Sequence, residues 1–278
     1  MSPALAPTLT LTHGAEIPVL GLGPWPLDDA GADTAVARAL ESGYRHVDTA
    51  YAYGNERGVG RGLRASGVPR EEVFVTSKFN VEWHSVDGVQ EAFRMSADKL
   101  GTDYLDLFLI HWPNPGHDRY VDAYRGLVRL REQGHVRAIG LSNFKPVQTD
   151  RVLDATGVVP DVNQIELDPR HVRAEVRAYH AEKGIATESY SPLGQGRGLL
   201  EEPVVVRLAE RLGRTPAQVV LRWHVQLGLI AIPKSADPDR QRENLAVFDF
   251  ELAPEEVDEL SALDRGEGDV TDSDVFGH

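Results

Sequence analysis

The chain has 278 residues, 41% of them apolar, with 43 acidic against 29 basic side chains and a formal net charge of -14. Such a length and apolar content can bury one large core, and about 250 residues is common for a single barrel, so one domain over 1–278 is expected. The acidic balance argues against nucleic-acid or anionic-membrane partners, and the absence of cysteine excludes disulfides, thiolate metal sites and a cysteine nucleophile.

The start, MSPALAPTLTLTHG, has no basic segment leading into a long apolar one, so it does not read as a signal peptide. No apolar run approaches the roughly 20 residues that span a bilayer, and a cytoplasmic monomer is expected. Residues 9–12 and 17–19 flank a turn-like His13-Gly14-Ala15-Glu16 and read as a β-hairpin that can plug one end of a barrel.

Eight strand-sized apolar runs then follow, at 19–22, 44–49, 73–78, 104–111, 136–143, 162–167, 185–190 and 229–234. Segments with helical spacing lie between them, such as Ala32, Ala35, Val36, Ala39 and Leu40. Near-continuous apolar strands alternating with amphipathic helices predict an α/β fold, a (β/α)8 TIM barrel. Thr215-Pro216-Ala217-Gln218 offers a cap, a first-turn proline and a reciprocal glutamine for a helix through Val219, Val220, Trp223 and Leu227. The last segment, 264–278, is polar and aperiodic and predicts a loop or tail.

In a parallel barrel the strand C-termini converge on one mouth, which can gather Asp48, Lys78, His111, Asn143, Gln164, Tyr190 and Lys234 around a pocket. The sharpest local pattern is GYRHVDTAYAYGNE at 43–56, followed by VFVTSK ending in Lys78 and DLFLIHWP containing His111. In order and strand context these segments resemble the aldo-keto reductase superfamily. The likeness extends from about residue 17 to about 249 through GLSN at 140–143, NQIE at 163–166, YSPLGQG at 190–196, and IPKS at 232–235 followed by Arg240 and Glu243-Asn244. In motif style the chain is similar to the bacterial branch that includes 2,5-diketo-gluconate reductases.

The chemistry of these residues fits carbonyl reduction, which needs a hydride donor near carbon and a proton donor near oxygen. Tyr53 is the candidate acid, Lys78 a cation to lower its pKa, Asp48 the partner that orients Lys78, and His111 a second hydrogen bond to the developing alkoxide. The resemblance assigns the same four roles, and its spacing selects Tyr53 over the neighbouring Tyr51. GLGPWP at 21–26 begins like a dinucleotide fingerprint, but Pro26 replaces the third glycine. The family more often has Thr where this chain has Pro24.

Lys234, Ser235 and Arg240 can bracket a phosphate, and the resemblance implies NADPH/NADP+ as cofactor. By the same resemblance Glu243 and Asn244 match adenine contacts, while Ser191, Leu193 and Gly194 match the pyrophosphate loop. Ser142, Asn143 and Gln164 can hold the nicotinamide carboxamide, with the Tyr190 ring stacked on its face. Trp25, Asn80, Trp83 and Trp112 are candidate contacts for a small-molecule carbonyl substrate.

No pair of the ten histidines has metal-binding helical spacing, so no metal is expected. Ser142 lacks the second glycine of an esterase elbow. A sugar hydrolase would use Asp48 and Glu166 but leaves Lys78 unexplained. The alternative kept is a catalytically slow nucleotide-sensing or structural binding protein on the same fold.

Overall fold

A computed structural model describes residues 5–277. The hairpin forms as expected, with β1 (Thr8–Thr10) antiparallel to β2 (Glu16–Pro18) and Leu9 opposite Ile17. Leu11 and Ile17 are buried against Leu107, Leu109, Val162 and Ile230, so the hairpin covers the lower barrel core. The turn is fastened by the His13 amide, which donates to the Asp161 carboxylate at 2.9 Å.

Seven parallel strands follow in chain order: β3 (His46–Asp48), β4 (Phe74–Phe79), β5 (Leu105–Ile110), β6 (Val136–Ser142), β7 (Val162–Glu166), β8 (Ala186–Tyr190) and β9 (Ile230–Ile232). The expected first strand at 19–22 is not a regular strand. It closes the ring through isolated parallel bridges, Leu20 to Ala231 and Leu22 to Val47. Its amides pair with both neighbours, Gly21 N–H donating to Ala231 and Leu22 N–H to His46. Gly21 explains the tight seam. A Cβ there would lie 2.7 Å from Ile232 Cδ1 and 2.8 Å from the His46 ring.

The helical layer comprises α1 (Asp29–Glu41), α2 (Glu56–Ala65), α3 (Val86–Leu100), α4 (Tyr120–Glu132), α5 (Pro146–Thr156), α6 (Ala174–Lys183), α7 (Pro203–Leu212), α8 (Pro216–Gln226), α9 (Pro238–Leu245) and α10 (Pro254–Ser261). In α1 the buried positions are Ala32, Ala35, Val36, Ala39 and Leu40, the spacing read from the sequence. α8 carries its reciprocal cap, Thr215 N–H to Gln218 Oε1 at 2.9 Å and Gln218 N–H to Thr215 Oγ1 at 3.3 Å. Trp223 on α8 is fully buried and its indole N–H donates to Ser261 at 2.9 Å. α9 starts at Pro238, where the Asp237 side chain caps the Asp239 and Arg240 amides.

The segment 264–277 has neither helix nor strand, yet it is docked rather than loose. Lys145 pairs with Asp272 at 2.6 Å and with Asp274 at 2.5 Å, and the Phe276 ring packs on Trp112 with centroids 4.8 Å apart. Among the described residues no helix is long and apolar enough to cross a membrane.

Candidate active site

Asp48 ends β3, Lys78 lies one residue before the end of β4, and His111 follows β5 directly. The loop after β3 makes one turn over Tyr51–Tyr53 and ends at Gly54, whose φ of 69° suits glycine. That turn delivers Tyr53 over the barrel mouth. The Lys78 ammonium lies 2.5 Å from Asp48 Oδ1, donates to the Thr49 carbonyl at 3.0 Å, and sits 5.2 Å from the Tyr53 ring centroid. Tyr53 meets His111 edge-on with centroids 5.7 Å apart. Tyr51 faces elsewhere, against Trp83 at 4.4 Å and under the Lys99 ammonium at 3.5 Å.

Burial draws the Lys78 pKa down, but Asp48, Tyr53 and Glu188 more than offset it, leaving the ammonium above its ordinary range. Lys78 is expected from the sequence to lower the Tyr53 pKa. Burial is the larger effect and lifts it, Lys78 draws it back only in part, and the phenol ends above its ordinary value. Tyr53 is therefore a firmly protonated phenol whose conjugate base has a buried cation beside it.

Around this centre the polar side chains form small hydrogen-bonded groups. Gln164 lies in the middle of β7, a layer deeper than a strand-end position, and its Nε2 donates to Asp48 Oδ2 at 2.9 Å and Glu188 Oε2 at 2.7 Å. Asn143, in left-handed backbone with φ 65°, donates to the His111 carbonyl and Ser142 Oγ, both at 3.1 Å, and accepts from Tyr190 Oη at 2.9 Å. Asn80 Oδ1 is 3.4 Å from His111 Nδ1. Trp25 is half exposed with its ring 6.4 Å from that of Tyr53, whereas Trp112 is buried beneath Phe276.

The remaining residues lie on the segments that follow β8 and β9. Lys234 and Arg240 are exposed, and among the described residues neither forms an ion pair. Two exposed cations on the segment after β9 suit a phosphate dianion. Ser235 is buried, its hydroxyl donating to the Asp237 carbonyl at 3.1 Å, so it shapes the loop. Glu243 is exposed and Asn244 buried on α9. Ser191 has φ 54° and its carbonyl accepts from Gly194 N–H at 2.9 Å, while Leu193 packs on both hydrophobic clusters beside it. A Cβ on Gly194 would meet Leu199 at 2.8 Å.

Sequence reasoning passed over His46 and Glu188. Both are fully buried inside the barrel beneath Asp48. The available signal was an ionisable residue in the middle of an apolar strand, which a buried position tolerates only with dedicated partners.

The profile described as Aldo/keto reductase family matches residues 19–265. An aldo-keto reductase of Mycolicibacterium smegmatis is 48% identical over 94% of this chain and 95% of its own. A protein named methylglyoxal reductase DkgA, from Yersinia pestis, is 46% identical over 98% of each. Among solved structures, a Gox0644 variant in complex with NADPH superposes with a TM-score of 0.94 at 41% identity, covering 98% of this chain and 99% of that one.

Proposed function

Because the chain belongs to the aldo/keto reductase family, we propose that it reduces small aldehydes and ketones with NADPH, using Tyr53 as proton donor. The observation that carries this reading is the buried Lys78 ammonium, clamped by Asp48 at 2.5 Å and set beside the Tyr53 ring.

Bound NADPH supplies the hydride. As negative charge grows on the carbonyl oxygen, Tyr53 gives it a proton and His111 a hydrogen bond. The phenolate left on Tyr53 is stabilised by Lys78, and Asp48 keeps that lysine charged and aimed. The residues present fit the cofactor. Gln164 has both amide hydrogens engaged and Oε1 remaining, so it and Asn143 Oδ1 accept from a carboxamide NH2, while Ser142 donates to its oxygen. Tyr190 offers its ring to the nicotinamide, and Ser191, Leu193 and Gly194 form the pyrophosphate loop. Lys234 and Arg240 hold the 2′-phosphate, with Ser235 supporting their loop and Glu243 and Asn244 beside the adenine.

The substrate class we favour is a dicarbonyl or keto-sugar, in keeping with the methylglyoxal reductase among the relatives. Trp25, Asn80, Trp83 and Trp112 are its proposed contacts. The test is NADPH oxidation against a panel of aldehydes, diketones and keto-sugars, with NADH in parallel. Turnover that prefers NADPH is expected. In Tyr53→Phe, kcat should fall by about 100- to 10,000-fold with NADPH affinity retained, because only the acid is removed. Near-normal turnover of that variant would take the role from Tyr53. Tight NADPH binding without turnover on any carbonyl would instead mark a sensing or structural protein.

A further inference from the structure

Beneath the Asp48–Lys78 pair lies a second carboxyl group that the reduction itself does not use. Glu188 on β8 is fully buried, and in register it stands between Gln164 on β7 and Ile230 on β9. Its Oε2 accepts from Gln164 at 2.7 Å. Its Oε1 has no hydrogen-bond partner and lies 3.6 Å from Nε2 of His46 on β3.

The protonation of His46 follows from its other contacts. Nδ1 is 3.2 Å from the Pro18 carbonyl, which can only accept, so Nδ1 carries a hydrogen. The ring is fully buried and neutral, burial lowering its pKa to about 4. Nε2 is therefore an acceptor, taking the Thr76 hydroxyl hydrogen at 3.2 Å, and this electron-rich side of the ring lies 3.6 Å from Glu188 Oε1. An ionised Glu188 would set a bare carboxylate oxygen against a nitrogen that carries no hydrogen. A hydrogen on Oε1 removes the conflict.

Charge leads to the same protonation state. The charged or titratable groups facing Glu188 are His46 and Asp48 on β3, Lys78 on β4 and Tyr53 beyond β3, while β9 contributes only Ile230. Lys78 is the one cation among them and Asp48 already occupies it, so an ionised Glu188 would be an unmatched buried anion.

We propose that Glu188 is a positioning residue held as a neutral acid, taking one N–H of Gln164 so that the amide turns its oxygen toward the cofactor carboxamide. Asp48 takes the other N–H of Gln164, which fixes the amide's sense, because a reversed amide would place its oxygen against the Asp48 carboxylate. The inference rests on the reductase reading for its link to the cofactor. Burial, then Asp48, raise the Glu188 pKa to about 8, against smaller opposing effects of Gln164 and Lys78. Above that pH the added negative charge opposes the developing alkoxide and makes Tyr53 a weaker acid.

Three proteins decide it: the wild type, Glu188→Gln, which keeps an acceptor for Gln164 and a donor toward His46 but cannot ionise, and Glu188→Ala, which keeps neither. For wild type, kcat of reduction should fall about tenfold between pH 7 and pH 9, following the loss of the protonated form, and in Glu188→Gln by less than about twofold. Glu188→Ala should raise the NADPH dissociation constant about fivefold or more at pH 7, and Glu188→Gln should not. Melting temperature supplies an activity-independent readout. The folded state binds a proton at Glu188 that the unfolded chain releases near its ordinary pKa, so wild type loses stability from about pH 5 to 8 relative to Glu188→Gln. Superimposable pH profiles and parallel melting curves for these two proteins overturn the proposal. If no carbonyl is turned over, the reductase reading fails by itself, while the melting curves and NADPH dissociation constants still decide whether Glu188 is a neutral acid that positions Gln164.

Discussion

Lys234 and Arg240 illustrate how much a single residue's role depends on what does not compete for it. Most arginines of this chain pair with a carboxylate, as Arg70 meets Asp106 at 2.8 Å, but among the described residues Arg240 makes no ion pair and acts on Asp237 only through its charge. A charge-assisted hydrogen bond is worth about 1.5–3 kcal/mol, so Arg240→Ala should weaken NADPH about 10- to 100-fold and NADH less than about twofold. Dissociation constants for both nucleotides check this. Equal weakening would show that Arg240 does not read the 2′-phosphate. The placement of Asp48, Lys78 and His111 was legible because each stands at or beside a strand end. The Tyr53 pKa was not legible, since its direction depends on burial that only the assembled mouth creates.

Elements follow local rules where their ends are built from their own residues. The Thr215 and Gln218 cap of α8 was readable from four consecutive letters and forms as read. Its removal in Thr215→Ala should cost about 1 kcal/mol, measured as a lower urea midpoint at unchanged m-value. The seam at 19–22 is different, because its geometry belongs to Ile232 and His46 on its two neighbours. Gly21→Ala adds a methyl where there is no room, and a loss of about 1–3 kcal/mol is expected. A melting temperature equal to wild type would show that the seam relaxes freely. The expected strand became a pair of bridges for the same reason: pairing is decided by the partners, not by the apolar run.

The whole molecule carries a pH response distributed over several layers. His46 inside the barrel and His180 on α6 are buried, and burial lowers each pKa from 6.5 to about 4. Between those values the unfolded chain binds protons that the folded chain refuses, so stability is lost as pH falls from 6.5 toward 4. Thermal unfolding across that range should show a steady decline, shallower in His180→Gln, which lacks one of the protonation sites. An identical slope in wild type and variant would remove His180 from the account. The docked terminal segment is also a property of the whole, since Lys145 and Trp112 lie far from Asp272 and Phe276 in sequence.

Period, punctuation and strand-end chemistry are written in consecutive residues, and they marked out the barrel class, the hairpin over its base, the helix faces and the strand ends that carry Asp48, Lys78 and His111. Tertiary structure decided what depends on distance across the barrel. It separated Tyr53 from Tyr51 through Lys78, sank Gln164 one layer down, and brought His46 and Glu188 from opposite halves of the chain beneath Asp48. Those outcomes arise from closure of the ring, which removes water from groups that no local pattern marks as neighbours.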